Sequence, residues 1–333
     1  MVFFRGKKQM RTAIIIKDHV IRFVHAKRAD LASIDSFGER YLPTGVIHDG
    51  KIVEWETLEG ILQDCIEEWQ LKKHYVQFIV PDAYTVLRHV QVPLSIKVDE
   101  IKGYLYTVIG ETVHLPFDEA TFDIHNLGEK DGQREVLLIA TPEKKVQEYV
   151  NLLTEVKVKP NAADISVLSL YRLVHFLDRD NKNDHFLFVQ VDLLSINITI
   201  FHNQKPVFMR HIKLSTENKW RYLNEGEGIE EVSWEGNQSE IENQVQDIIT
   251  EVERIMNYYR YSMRQGKYRV TKLVVVGDHP YLSDIRKKFQ KSFDIDIETI
   301  SKESIKTMNG KEIPERFYEI VGLALKKEVH DVS

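Results

Sequence analysis

The chain has 333 residues, of which 45 are Lys or Arg and 51 are Asp or Glu, so its formal net charge is −6. This length suits about two domains. A hydrophobic fraction of 43% and a charged fraction of 29% describe a globular protein rather than a disordered one. The mild negative charge gives no reason to expect nucleic acid as a partner. The single cysteine, Cys65, excludes an internal disulfide framework.

Neither a run of 18 apolar residues nor the apolar segment of a secretory signal is found in the sequence. A reducing compartment also fits the single cysteine. We therefore expect a cytoplasmic protein.

The first half of the chain opens with β-rich segments. Segments 12–16, 20–26 and 33–41 are rich in β-branched and aromatic residues and predict three successive strands. A helical stripe from about Thr57 to Trp69 and a further strand, 76–80, follow them.

The second half repeats this order. Segments 186–191, 195–201 and 206–214 predict three strands, and a stripe over 239–265 predicts a long helix. The apolar strand 273–276 comes next. The repetition predicts a duplicated α/β fold.

Three further segments complete the predicted organisation. The polar run 178–184 is typical of a connection between domains, and 92–157 resembles a small α+β insert. The acidic stretch 215–240 predicts a mobile surface loop. The predicted organisation is a first domain of 11–91 and 158–182, an insert of 92–157, and a second domain of 183–330.

Phosphate-binding loops need glycine, because backbone N–H groups must approach the phosphate without a Cβ in the way. The sequence contains neither the P-loop pattern nor Gly-x-Gly-x-x-Gly. Glycine is also missing between Gly6 and Gly38 and between Gly132 and Gly226, where a duplicated α/β ATPase would hold phosphate. This pattern argues against a working phosphate site.

Several segments resemble the PilM family, the actin-like proteins of type IV pilus assembly. The resemblance runs from about Arg11 to Lys326 and rests on the order and spacing of four motifs. These motifs are Val92-Pro93, Leu115-Pro116-Phe117-Asp118-Glu119, the helix from Ile249 to Arg260, and the closing segment from Tyr318 to Leu325. The resemblance implies two ribonuclease-H-like domains around a nucleotide cleft, with a small insert in the first domain.

The family's nucleotide motifs are only partly present. Where the family has Asp-Ile-Gly-Ser-Ser, this chain has Ile15-Ile16-Lys17-Asp18-His19. In the second hairpin Asp192 matches the family's aspartate, but Leu194 stands at the glycine position. Gly277 is kept at the adenosine loop and is followed by Asp278. The resemblance implies vestigial cofactor-binding residues at Asp192, Gly277 and Asp278, so ATP and Mg²⁺ are not the expected cofactors.

The resemblance also implies a partner. PilM-like proteins hold the cytoplasmic N-terminus of a bitopic, PilN-like membrane protein, and here the predicted site is a groove beside the insert 92–157. We expect a non-enzymatic adaptor at the inner face of the cell membrane that contacts the membrane through this partner. A pilus assembly ATPase is a further candidate partner.

Three alternatives stay open. An active ATPase would use Asp192 for Mg²⁺ and Lys17 as a counter-charge to phosphate, and an actin-like sugar kinase would need the missing glycines. A membrane filament protein resembling FtsA would need an amphipathic terminus. The C-terminal end lacks one, and Phe3 and Phe4 predict only marginal membrane contact.

Overall fold

The computed structural model describes residues 11–214, 219–225, 229–298, 300 and 305–327. Two five-stranded mixed sheets dominate the fold, and a three-stranded antiparallel sheet stands beside the first. Over these ranges no helix is both long enough and apolar enough to cross a membrane.

The first sheet is built from five strands and is flanked by three helices. The strands are β1 (Arg11–Ile16), β2 (Val20–Ala26), β3 (Ile34–Tyr41), β6 (Tyr75–Ile79) and β10 (Lys159–Asp164). Their order across the sheet is β10-β6-β1-β2-β3. The helices are α1 (Trp55–Glu68), α3 (Glu143–Glu155) and α4 (Ser166–Phe176). A short hairpin of β4 (Ile47–His48) and β5 (Lys51–Ile52) precedes α1.

The second sheet repeats the strand order of the first. Its strands are β11 (His185–Val191), β12 (Ser195–His202), β13 (Lys205–Lys213), β16 (Lys272–Val276) and β17 (Asp296–Glu298), in the order β13-β12-β11-β16-β17. When the five strands of each sheet are numbered along the chain, both sheets have the order third, second, first, fourth, fifth. This shared order confirms the predicted duplication.

One long helix covers an outer face of the second sheet. It is α5 (Gln238–Asn257), and it continues into a π-helical turn over Tyr258–Met263. Its apolar stripe packs into the core of the second sheet because residues three and four apart face the same side of a helix. The buried members are Ile241, Val245, Ile248, Ile249, Val252 and Ile255. The shorter α6 (Leu282–Ser292) packs into the same core.

The insert is an antiparallel sheet with one helix on its face. The strands β7 (Val86–Pro93), β8 (Ala120–Lys130) and β9 (Gln133–Pro142) lie in the order β7-β9-β8, and α2 (Ile101–Val108) covers them.

The boundaries of this insert differ from the predicted 92–157 at both ends. The whole of β7 pairs with β9, so the insert's sheet begins at Val86. Helix α3 packs through Tyr149, Leu152 and Leu153 into the core of the first sheet. Its apolar stripe is buried by that sheet, which periodicity alone cannot reveal.

The end of the chain also departs from the predicted boundary of 183–330. Helix α7 (Tyr318–Ala324) lies against α4 and in the core of the first sheet. The Ser169 hydroxyl donates to the Glu319 carbonyl over 2.8 Å, and Arg172 donates to the Gly322 carbonyl over 2.9 Å. The first domain is therefore closed by the C-terminal helix.

The predicted loop 215–240 contains regular structure. Strands β14 (Trp220–Glu225) and β15 (Ile229–Trp234) form an antiparallel hairpin, and residues 215–218 and 226–228 lie outside the described residues. The Trp220 side chain is buried in the second core, with its ring centroid 4.9 Å from that of Trp234. The tryptophans anchor the hairpin, so an acidic composition did not mean a structureless segment.

Candidate functional site: the cleft between the two sheets

The turn between β1 and β2 places Lys17 at the centre of the molecule. Its Nζ lies 2.7 Å from Asp192 Oδ2, in the matching turn of the second sheet. It also lies 2.5 Å from Glu319 Oε2 on α7. A single ammonium therefore bridges two carboxylates that the fold brings from opposite sides of the cleft.

Gln190 completes this group. Its side-chain amide donates to Asp192 Oδ2 over 2.8 Å and to Glu319 Oε2 over 3.0 Å. Burial raises the pKa of Asp192 to about 6 and also raises the pKa of Glu319. Burial lowers the pKa of Lys17, but the attraction of Asp192 and Glu319 outweighs it, so the net shift is upward. Lys17 is thus held as a cation at neutral pH.

A second ion-pair group surrounds Asp278, which follows Gly277 at the end of β16. Arg22 Nη1 lies 2.6 Å and His19 Nε2 2.9 Å from Asp278 Oδ2, and the Leu193 backbone N–H donates to Asp278 Oδ1 over 3.0 Å. Burial alone would raise the pKa of Asp278, but His19, Arg22 and Lys17 together hold it well below its usual value. Strand β2 is thereby tied to the second sheet.

The Asp278 group continues toward the C-terminal segment. Arg22 Nε donates to Glu39 Oε2 over 2.9 Å, and Arg316 Nε donates to Glu39 Oε1 over 2.8 Å. The Arg22 side chain is only 2% exposed, so its guanidinium has exchanged water for these carboxylates. A buried guanidinium is tolerated when it is paired in this way.

A third hydrogen-bonded chain crosses the cleft at its rim. The Asn197 amide donates to Asp82 Oδ2 over 2.8 Å, which turns its carbonyl toward His211 Nδ1 at 2.7 Å. His211 Nε2 lies 3.1 Å from Asp49 Oδ1. Both ring nitrogens face oxygen atoms, an arrangement that favours the imidazolium form because that form donates from both nitrogens. Burial lowers the pKa of His211, but Asp49 and Asp82 outweigh it and raise the net value.

The space left in the cleft is small. A cavity of about 60 Å³ lies among Lys17, Asp18, Asp82, Asp192 and Leu194. Small-molecule sites usually measure about 300–1,000 Å³. The Asp18 carboxylate is already used, because it accepts hydrogen bonds from the backbone N–H groups of Asp49 and Gly50. This cavity around Lys17 is too small for a nucleoside triphosphate.

A wider recess of about 300 Å³ opens beyond Asp278. Its lining includes Tyr41, His279, Pro314 and Arg316. Burial lowers the pKa of His279 to about 4, so this ring is neutral near pH 7. The recess is separated from the smaller cavity by the ion pairs of Asp278.

Gly277 is required by the backbone at this position. Its φ is +133°, and a Cβ placed there would lie 2.0 Å from the Val191 carbonyl oxygen. The His279 backbone N–H donates to the same carbonyl over 3.2 Å. Glycine here therefore permits close contact between the loops that follow β11 and β16.

The structure brings together all three residues predicted as vestigial cofactor contacts, Asp192, Gly277 and Asp278. It adds residues that the sequence did not single out, namely Gln190, Glu319, Arg22 and His211. Glu319 was visible as a lone acid inside the apolar segment from Tyr318 to Leu325. Nothing in the sequence around Asn197 or His211 indicates that they cross the cleft.

No group of three or more His, Cys, Asp or Glu side chains in the described ranges is arranged to hold a metal ion. The acidic side chains of the cleft are instead paired with Lys17, Arg22 and His211.

Two sheets of identical strand order around a cleft, with an insert in the first unit, define an actin-like protein. The family model of type IV pilus assembly protein PilM matches residues 14–316. The chain belongs to this family. The fold and the family agree with the resemblance found in the sequence.

Solved structures similar to this chain were found. A PilM–PilN type IV pilus biogenesis complex contains a chain with a TM-score of 0.74 and 17% identity, covering 96% of this chain and 98% of that one. A Bacteroides thetaiotaomicron protein with an actin-like ATPase fold has a TM-score of 0.47 and 12% identity, covering 98% and 100%. MreB 5 of Spiroplasma citri, bound to AMPPNP, has a TM-score of 0.47 and 9% identity, covering 95% of each chain. No curated protein matches the sequence.

Proposed function

We propose that this protein is a non-enzymatic adaptor of a type IV pilus assembly machine. It binds the cytoplasmic N-terminal segment of a PilN-like membrane protein and is held by it at the inner face of the cell membrane. The observation that carries the non-enzymatic part is the position of Lys17 between Asp192 and Glu319. A cation supplied by the chain itself occupies the cleft, so catalysis on a nucleotide has no space there.

Family membership and the likeness to the chain of a PilM–PilN complex support the choice of partner. The insert offers a physical seat for an extended segment. Strand β8 lies at the edge of its sheet and pairs only with β9 among the described strands, so its other edge can accept a further strand.

Two apolar side chains are exposed on the helical segment that covers this sheet. Val98 and Tyr106, two turns apart along α2 and its preceding 3₁₀ turn, are 57% and 59% exposed. The Tyr106 ring lies 4.4 Å from that of Phe122 on β8. A peptide on the β8 edge could therefore combine backbone pairing with apolar contacts. Micromolar binding, about −8 kcal/mol, is typical of a segment that must exchange.

The test is titration of the full-length protein with a labelled peptide of a PilN-like N-terminus. We expect Val98→Asp and Tyr106→Asp together to weaken binding at least tenfold. Met308→Asp is the matched control, because Met308 is 50% exposed and lies outside the insert. If the control weakens binding as much as the double variant, or if neither does, the seat on β8 is wrong. If the wild-type protein does not bind the peptide at all, the adaptor function itself is wrong.

A further inference from the structure

A basic aromatic surface covers the turn that follows α5. It consists of Tyr258, Arg260, Tyr261, Arg264, Lys267, Tyr268 and Arg269, called here the tyrosine–arginine patch. Its three tyrosines are unusually open, with exposed fractions of 47% at Tyr258, 59% at Tyr261 and 51% at Tyr268. Exposed aromatic side chains clustered in this way mark interaction surfaces.

The charge of this segment is one-sided. From residue 255 to residue 277 the sequence contains five Lys or Arg and no Asp or Glu, although the whole chain is acidic. Lys272 pairs with Asp184 at 3.3 Å and with Glu298 at 3.7 Å. Within the described ranges the other four cations form no salt bridge.

Two of these four cations, Arg260 and Arg264, lie against tyrosine rings. The guanidinium carbon of Arg260 is 5.0 Å from the centre of the Tyr261 ring, and that of Arg264 is 5.3 Å from the centre of the buried Tyr259 ring. Cation–π contacts of this kind fix the direction of a charge without neutralising it. The positive charges therefore remain available to an anionic partner.

The patch has a fixed shape. Residues 258–263 form a π-helical turn, and such turns occur frequently at functional sites. The Tyr268 ring stacks 5.1 Å from that of His185 at the start of β11. Strand β11 runs from this point to the cleft, over seven residues at about 3.3 Å each. The patch is thus at the opposite end of the second sheet from Asp192.

We infer that the tyrosine–arginine patch is a docking surface for the headgroups of an anionic phospholipid bilayer. Cations attract an anionic leaflet, and Tyr side chains favour the membrane–water interface because each has an apolar ring and a polar tip. These residues line neither of the two cavities described above, so the patch offers an open surface rather than a pocket. The patch lies apart from the cleft around Lys17 and from the proposed peptide seat on β8.

The experiment is co-sedimentation of the full-length protein with vesicles of phosphatidylcholine containing about one third phosphatidylglycerol. We expect binding to these vesicles and at least tenfold weaker binding to pure phosphatidylcholine. Replacing Arg260, Lys267 and Arg269 by Ser should weaken binding to the anionic vesicles at least tenfold. Tyr261→Ser with the charges kept should weaken it about threefold.

A matched variant controls for net charge. The control replaces three exposed lysines outside the patch by Ser, namely Lys51, Lys130 and Lys144. It should bind the vesicles like the wild type. An equal loss of vesicle binding in this control would overturn the inference. So would a loss of vesicle binding in the Phe3→Ser and Phe4→Ser double variant if the patch variant still binds like the wild type. Failure of the wild type to bind anionic vesicles would also overturn the inference. This holds even if the patch binds an acidic peptide or single-stranded DNA instead. Circular dichroism melting checks that every variant is folded.

Discussion

The Lys17 ammonium lies 2.7 Å from the Asp192 carboxylate, and this pair joins the first turn of one sheet to the first turn of the other. The two turns occupy equivalent places in the duplicated fold. Because one turn carries a cation and the other an anion, the two halves of the molecule attract each other directly, and no bound ligand is needed to hold the two turns together.

Removing the cation should be costly. In Lys17→Met the carboxylates of Asp192 and Glu319 stay buried without a counter-charge, and we expect a loss of about 3–5 kcal/mol in the free energy of unfolding. Urea denaturation measures this loss. The exposed Lys51→Met should change stability by less than about 0.5 kcal/mol. Adding Asp192→Asn to Lys17→Met should restore part of the lost free energy of unfolding. If the double variant instead loses the sum of the two single losses, the two residues are not paired.

ATP with Mg²⁺ should not stabilise the protein. A ligand at 100 times its Kd raises the free energy of unfolding by about 2.7 kcal/mol. We expect no measurable rise in melting temperature and no calorimetric heat of binding for ATP with Mg²⁺. Micromolar binding that disappears in Asp192→Ala would favour the alternative of an active nucleotide site.

Gly277→Ala tests the contact between the two loops of the second sheet. A Cβ at this position meets the Val191 carbonyl oxygen and requires a positive φ, so we expect a loss of about 2 kcal/mol or more. Gly60→Ala in α1 is the control. No atom lies within 4 Å of its added Cβ, and alanine in a helix should stabilise by about 0.5–1 kcal/mol. Equal effects of the two changes would show that the Val191 contact is unimportant.

The pH dependence of stability should report on His211. Its pKa is raised in the folded protein, so its contribution is fully present below the unfolded value of 6.5 and is lost as pH rises through the folded value. His211→Gln should cost about 1 kcal/mol at pH 6, near the net value of a hydrogen bond, and less at pH 9. Urea melts of both proteins across this range give the difference. A constant gap at every pH would mean that the ring is neutral throughout.

The stability of the hairpin of β14 and β15 should depend on Trp220 more than on Tyr222. Trp220 is 1% exposed and packs against Trp234 and His279, so Trp220→Ala should cost about 3–5 kcal/mol. Tyr222→Ala removes the ring contact with Tyr41, 5.1 Å away, and should cost about 0.5–1.5 kcal/mol. Denaturation of both variants ranks them, and the reverse order would contradict the burial of Trp220.

The duplication and the long helix α5 were predictable because their apolar patterns are local. The sequence stripe extended to Gln265, whereas the α-helix ends at Asn257 and a π-helical turn follows. The hairpin at Trp220 was missed because glutamates obscured the spacing of its aromatic residues. The cleft was predictable at Asp192, Gly277 and Asp278, which stand at motif positions.

The remaining cleft residues depend on tertiary contacts. Glu319 reaches Lys17 only because α7 returns to the first sheet, and Asn197 reaches Asp82 only because the two sheets face each other. Separations of more than a hundred residues leave no local pattern to read.

The return of α7 to the first sheet has a consequence for the order in which the protein can be assembled. The Gly322 position is so close to the Ser169 carbonyl oxygen that an added Cβ would lie 2.0 Å from it. This interface joins residues near the middle of the chain to residues near its end. During synthesis the first core stays open on one side until residues 318–324 have left the ribosome. A nascent chain stalled before residue 318 would therefore expose an apolar face of the first core to chaperones, even though most of that core had already been translated.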